Sequence, residues 1–259
     1  MSLNPKIKDW SGLKVWVVGA FSGIGRALAE SLTRRGARVI VSARRAQTLA
    51  EIAPPPEIVL ACDIQDDASI AAVIAQMRSR DMLPDVVFWV AGVYHPMACD
   101  ALELDGVRET FQINTLAAYS GLQQMLQAWA SAPQAARHWS WVSSVAGYRG
   151  LPQAAAYGAS KAALTYLAEV SHLELKPRGI AVSVIQPGFV ETRLTAKNNF
   201  QMPAILTPEQ AAKASLDGLA KGDFEIHYPK RFTLWLKCLR LLPYSLYFRL
   251  MKKALPDRS

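Results

Sequence analysis

Three side chains near the middle of the chain have the types and spacing needed to move a proton on and off an oxygen. Tyr157 and Lys161 stand four residues apart in Tyr157-Gly-Ala-Ser-Lys161, and Ser144 lies thirteen residues ahead of the tyrosine. On a helix, positions i and i+4 share a face one turn apart. A phenol titrates near ~10 when unperturbed, which makes it a poor proton carrier at neutral pH. An ammonium beside it favours the phenolate and lowers that value. A serine hydroxyl nearby can hydrogen-bond the oxygen of a reacting carbonyl. The set suits general acid–base work on an oxygen while a hydride moves elsewhere. Alone, Tyr-x-x-x-Lys is as often two solvated helix residues, so the reading turns on the elements that position it.

The N-terminal end carries one such element. Lys14-Val-Trp-Val-Val-Gly19-Ala-Phe-Ser22-Gly23-Ile24-Gly25 runs into a helical pattern through Leu28 and Leu32. That order is strand, tight turn, helix. Glycines let the backbone approach a diphosphate, and a helix N-terminus offers free N–H groups and partial positive charge. The spacing is Gly-x-x-x-Gly-x-Gly, not the commoner Gly-x-Gly-x-x-Gly. Five further apolar runs, Arg38–Ser42, Ile58–Ala61, Val86–Val90, His138–Ser143 and Ile180–Ile185, alternate with helical stretches at Ala46–Ile52, Ala68–Ser79, Gly106–Ser131 and Ala154–Lys176. Such alternation predicts a parallel sheet with helices on both faces.

Size and composition narrow the classes. At 259 residues one α/β domain is expected, covering residues 1–228, with a C-terminal extension at 229–259. The chain shows neither an eighteen-residue apolar stretch nor an apolar N-terminal signal region, so a cytoplasmic protein is expected. Cys62, Cys99 and Cys238 have no metal or disulfide spacing, and the four histidines suggest no site, so no metal is expected. Residues 1–228 carry 21 Lys/Arg against 20 Asp/Glu, whereas 229–259 carry 8 against 1. This asymmetry argues against a nucleic-acid binder and makes the tail a separate question.

Together, Gly19-x-x-x-Gly23-Ile24-Gly25, Asp63, Ala91-Gly92, Asn114, Ser144, Tyr157-x-x-x-Lys161 and Pro187-Gly188-Phe-Val190-Glu-Thr192 resemble the short-chain dehydrogenase/reductase family in its compact branch. The resemblance implies a Rossmann-type doubly wound parallel sheet of about seven strands, the last at Phe224–Tyr228. It implies Tyr157 as acid/base, Lys161 as its modulator and ribose contact, Ser144 as the group that polarises the substrate oxygen, and Asn114 as holder of a relay water. Cofactor contacts would come from Gly19, Ser22, Gly23, Ile24, Gly25, Asp63, Ala91, Gly92, Tyr157, Lys161, Pro187, Val190 and Thr192. Ala43 stands where an NAD-selective relative carries an acid, and Arg44 and Arg45 follow it, which points to NADP(H). Val18 and Trp89-Val90 depart from the family's usual residues, so a rearranged floor is expected there. The expected activity is carbonyl reduction or the reverse oxidation. A dinucleotide sensor without turnover is the alternative, and isomerisation or dehydration on the same scaffold is a third reading. The family's habit implies a homodimer or homotetramer.

Past Thr192 the pattern stops. Phe200, Met202, Ile205 and Leu206 make the next loop apolar, which suggests a lipophilic substrate. The tail reads as two short helices broken at Pro243, with Lys230, Lys237 and Arg240 on one face of the first and Phe232, Trp235, Leu239 and Leu242 opposite. One reading is a segment lying in a bilayer interface through residues 229–255, at the inner face of a membrane. The other is a helical arm packed on its own domain or on a second subunit.

Overall fold

The computed structural model describes residues 2–49, 51–132, 136–197 and 202–252. Phe200 of the apolar loop and the tail beyond Lys252 lie outside them. Seven strands, β1 (Lys14–Val18), β2 (Arg38–Ala43), β3 (Ile58–Ala61), β4 (Val86–Trp89), β5 (Arg137–Val142), β6 (Ile180–Pro187) and β7 (Glu225–Tyr228), form one sheet. Its order is β3-β2-β1-β4-β5-β6-β7, and every pairing is parallel. The order reverses between β1 and β4, where a crevice opens at the strands' carboxyl ends.

The strands are near-continuous apolar runs because both faces are covered. Helices α1 (Gly23–Arg34) and α6 (Pro208–Lys221) cover one face over a largely aliphatic core that includes Val15, Val17, Leu28, Leu32 and Leu216, with Trp10 and Phe88 among them. On the other face lie α2 (Asp67–Ser79), α3 (Leu104–Phe111), α4 (Ala117–Ala130) and α5 (Ala155–Leu175). The core there is built on tryptophan: Trp89 stacks on Trp139 at 5.9 Å, and Trp16 meets Trp89 edge-on at 6.2 Å. Gly121 of α4 leaves the slot for this ring, since a Cβ there would strike Trp89. The Trp89-Val90 departure thus fills the core, and the floor is tied by backbone: Val90 N and Ala91 N both donate to Val18 O, at 3.0 and 2.9 Å.

Two expected helices come out differently. Ala46–Leu49 is a single 3-10 turn, because Pro54 excludes helical geometry at Ala53 and leaves too few residues for an α-helix. Gly106–Ser131 falls within α3 and α4, which are joined by a π-helical turn at Gln112–Leu116.

The tail forms α7 (Lys230–Leu241) and α8 (Tyr244–Met251), with the break at Pro243. Both pack on the domain as a clasp. Leu236 and Leu239 join Val145, Tyr148 and Tyr247 in a small core, with Phe232 and Leu242 against it. Phe232 also meets Phe189 at 5.4 Å, and its ring lies over Gly188. Lys237 pairs with Glu225 of β7. Arg149 donates to the carbonyls of Leu239 (2.8 Å), Arg240 (3.1 Å) and Leu242 (2.8 Å), and its guanidinium lies 4.0 Å from the Tyr247 ring centre. Of the four apolar residues expected on one free face, Phe232, Leu239 and Leu242 therefore turn inward, and only Trp235 is exposed. The amphipathic pattern was satisfied by the chain's own domain. No helix among the described residues is long and apolar enough to cross a membrane.

Candidate active site

At the end of β1 the chain turns at Gly19, whose φ of +90° suits glycine, and a Cβ there would sit 2.7 Å from Ala91 N. Gly25, in the first turn of α1, faces the Gly19 carbonyl so closely that any side chain would strike it. Ser22 occupies the N-cap of α1 without capping an amide, and the first turn holds no acid. The leading N–H groups of α1 are therefore left for an external acceptor. A cleft runs from this turn in two directions.

One arm is lined by Ser42, Ala43, Arg44, Arg45, Asp63, Gln65, Ile113 and Arg193. The Arg44 and Arg45 side chains are exposed at its rim. Asp63 accepts from Gln65 N at 3.0 Å. The other arm is lined by Ser22, Gly23, Ile24, Val90, Ser144, Tyr157, Lys161, Pro187, Gly188, Val190, Thr192 and Leu194. The two arms share Gly19, Phe21, Ala91 and Gly92.

Tyr157 and Lys161 lie one turn apart on α5, the lysine ammonium 5.8 Å from the tyrosine ring centre. The Ser144 hydroxyl accepts from Ala146 N at 3.1 Å and stands beside the Tyr157 phenol, whereas the Ser143 hydroxyl is turned to α5 and donates to Lys161 O at 2.8 Å. The two adjacent serines thus part company: one faces the cleft, the other fastens β5 to α5. Loss of water around the phenol pushes Tyr157 up to about 12, against which the neighbouring Ser144 hydroxyl acts. Burial pulls Lys161 down to about 8. Desolvation, with Tyr94 acting the same way, therefore keeps Tyr157 a protonated donor at neutral pH, in place of the lowering expected from Lys161.

Asn114 sits in the π-turn between α3 and α4, fully buried. Its amide donates to Val93 O and to the Ser160 hydroxyl, each at 3.0 Å, and its carbonyl accepts from Val93 N at 2.8 Å. Both amide hydrogens are spent, so only one lone pair of Oδ1 remains. A Cβ on Gly92 would lie 3.1 Å from that oxygen and 3.3 Å from the Lys161 ammonium, so all three converge.

This arrangement can be set beside known proteins. The short chain dehydrogenase profile matches residues 14–203. An "Uncharacterized oxidoreductase" of Myxococcus xanthus is 33% identical over 237 residues, covering 89% of this chain and 93% of that one. The chain belongs to the short-chain dehydrogenase family. Two solved members of this fold, from Burkholderia cenocepacia with NADP and from Burkholderia phymatum with NAD, superpose with TM-scores of 0.81 and 0.79. They share 24% and 20% identity, covering 97% and 89% of this chain and 99% and 94% of theirs.

Three residues in or beside the cleft of this short-chain dehydrogenase escape motif reading. Phe21 lies at the junction of the two arms, and the Arg193 guanidinium stacks over it at 5.8 Å. Tyr94 meets Tyr157 edge-on at 4.9 Å and is itself pushed up by burial. Arg193 follows the quoted Thr192, but only folding brings it to Phe21, and Tyr94 stands in a loop with no periodic signal.

Proposed function

We propose that this protein is an NADP(H)-dependent oxidoreductase interconverting a carbonyl and an alcohol, working as a reductase on a lipophilic ketone or aldehyde. The observation that carries the reading is Ser144 and Tyr157 side by side in a desolvated cleft, with Lys161 one turn away and a glycine-walled turn opposite. The turn fits a dinucleotide: a side chain at Gly19 or Gly25 would strike the backbone that closes the turn, and the α1 N–H groups lack side-chain caps. NADP(H), when bound, supplies or accepts the hydride.

Gly19, Ser22, Gly23, Ile24 and Gly25 would hold its diphosphate, Asp63 its adenine, and Pro187, Val190 and Thr192 its carboxamide, with Ala91 and Gly92 beneath. Arg44 and Arg45 would take the 2′-phosphate, since Ala43 offers no carboxylate to a free 2′-hydroxyl. Selectivity thus rests on this chain's own residues. Ser144 orients the substrate oxygen, and Tyr157 donates its phenolic proton to it as the carbonyl becomes an alcohol. Lys161, kept charged below about 8, hands a proton back to the phenolate. Asn114 would hold a relay water through its one remaining lone pair. The protonated Tyr157 is the form that reduction requires. Lipophilicity is supported by the walls beyond the chemistry: Leu194, Phe189 and Phe232 line or flank the segment after Pro187. Exposed Leu116 and Tyr119 at the start of α4, and Tyr166 and Leu173 on α5, would offer apolar surface for homo-oligomer formation.

The test is NADPH oxidation against ketones and aldehydes of rising chain length, with Tyr157→Phe as control. Turnover that rises with lipophilicity and vanishes in the variant is expected. NADPH binding with no turnover across the panel would move the sensor reading ahead.

A further inference from the structure

The clasp is apolar on both sides. Its inner side is taken up by the domain, as described above. On its outer side Leu234, Trp235, Cys238 and Leu241 recur at helical spacing along α7, and Tyr244, Leu246, Phe248 and Leu250 continue the apolar surface on α8. Leu241 is 84% exposed, Tyr244 70%, Phe248 57% and Trp235 54%. Of sixteen large apolar side chains exposed among the described residues, seven fall between Leu234 and Leu250. That density, on a stretch of seventeen residues, marks a contact surface and not scattered exposure.

The rim of this surface carries one sign. Lys230, Arg231, Arg240, Arg249 and Lys252 are exposed, and residues 229–252 contain no Asp or Glu. A second copy docked face to face would bring these cations against their own kind. An anionic sheet meets them instead, while aromatic rings with polar edges suit the headgroup layer.

We propose that the outer face of α7 and α8 seats on a lipid bilayer bearing anionic headgroups, with Trp235, Leu241 and Phe248 entering the acyl boundary. The face that docks is the one left over after the inner face has closed on the domain. Docking sets the flank of the cleft formed by Phe232, Phe189 and Gly188 beside the membrane, where a lipophilic substrate is dissolved. This placement rests on the reductase reading; the docking itself does not.

The chain carries its own probe. Trp10, Trp16, Trp89, Trp129, Trp139 and Trp141 are buried, and Trp235 is the seventh and exposed. The full-length protein is mixed with vesicles of phosphatidylcholine alone, or with phosphatidylglycerol added, at low and high salt. Sedimentation and quenching of tryptophan emission by brominated acyl chains are then read. Expected are at least tenfold tighter binding to the anionic vesicles, weakening in high salt, and quenching that Trp235→Phe removes while binding persists. Leu241→Glu with Phe248→Glu, both at exposed positions, lowers vesicle binding at least tenfold with NADPH binding unchanged. No sedimentation with anionic vesicles at low salt overturns the proposal. So does binding without quenching of Trp235, or shielding of Trp235 that grows with protein concentration and needs no lipid. None of these readouts uses turnover, so failure here leaves the reductase reading standing.

Discussion

In the glycine-walled cleft, Gly19, Gly23 and Gly25 shape the wall by what they lack, and the backbone groups at the start of α1 are left without side-chain caps. In the clasp, two short helices are held by side chains from three separate places: Tyr148 and Arg149 beyond β5, Glu225 and His227 in β7, and Phe189 after β6. The cleft is a local construction, complete within a strand, a turn and a helix. The clasp exists only once distant segments have met. Local constructions leave motifs; tertiary ones leave patterns with more than one solution.

Substitutions can break either half of this contrast. The largest expected effect is Tyr157→Phe, which should lower turnover at least about a thousandfold with NADPH affinity held within a few-fold; a comparable loss of both would show the tyrosine to be structural. Arg149→Ala removes three charge-assisted hydrogen bonds to the end of α7, and should cost about 2–4 kcal/mol in urea unfolding. Conservative Arg149→Lys should recover only part, since an ammonium forfeits the planar stacking on Tyr244 and Tyr247. Equal stability of wild type and Arg149→Ala would mean that the clasp is held by its apolar contacts alone.

Acid should act on the clasp side as well. His227 accepts or donates at 2.6 Å to the Thr233 hydroxyl, and burial lowers its pKa to about 4. The fold keeps the imidazole neutral, so between pH 6.5 and 4 the unfolded chain binds the proton and the folded one does not. Stability from this group is whole above 6.5 and falls by about 3 kcal/mol as pH drops to 4. His138, lowered to about 4 by its own burial in β5, adds a similar slope. His227→Gln should flatten the urea-midpoint profile by the first share only; an unchanged profile would place the acid sensitivity elsewhere.

Smaller effects sharpen the cleft. Arg44→Ala should weaken NADPH about tenfold and leave NADH nearly untouched, read by fluorescence titration. Equal weakening of both would make the arginine a general anion contact. The reduction rate should fall as pH rises through about 8, where Lys161 loses its proton, with Tyr157 still protonated. Lys161→Arg, whose guanidinium gives up no proton, should lower turnover over the whole pH range.

What could be read in advance follows the same division. The strands, the Gly19–Gly25 turn and the Tyr157–Lys161 spacing are set by short-range sterics and periodicity, and the folded chain brings them to one cleft. The 3-10 turn at Ala46–Leu49 was hidden because its residues are good helix formers, and the prolines after Ala53 limit them. The π-turn that spends both hydrogens of the Asn114 amide has no signature of its own. The inward face of α7 was ambiguous because the helix is apolar on two sides, and only Tyr148, Arg149 and Glu225, remote in the chain, decide between them. Arg193 over Phe21 and Tyr94 against Tyr157 are likewise meetings across loops.

Arg149 lies between Ser144 and Tyr157 in the chain, and Phe232 rests on Gly188 just past Pro187. The last two helices therefore brace both segments that converge on the reacting oxygen. A protein cut before Lys230 would keep every motif residue and still lose the packing over Val145, Tyr148 and Phe189. The packing around Val145 and Tyr148, beside the reacting groups, thus runs through Tyr247, well past the last residue that any motif names.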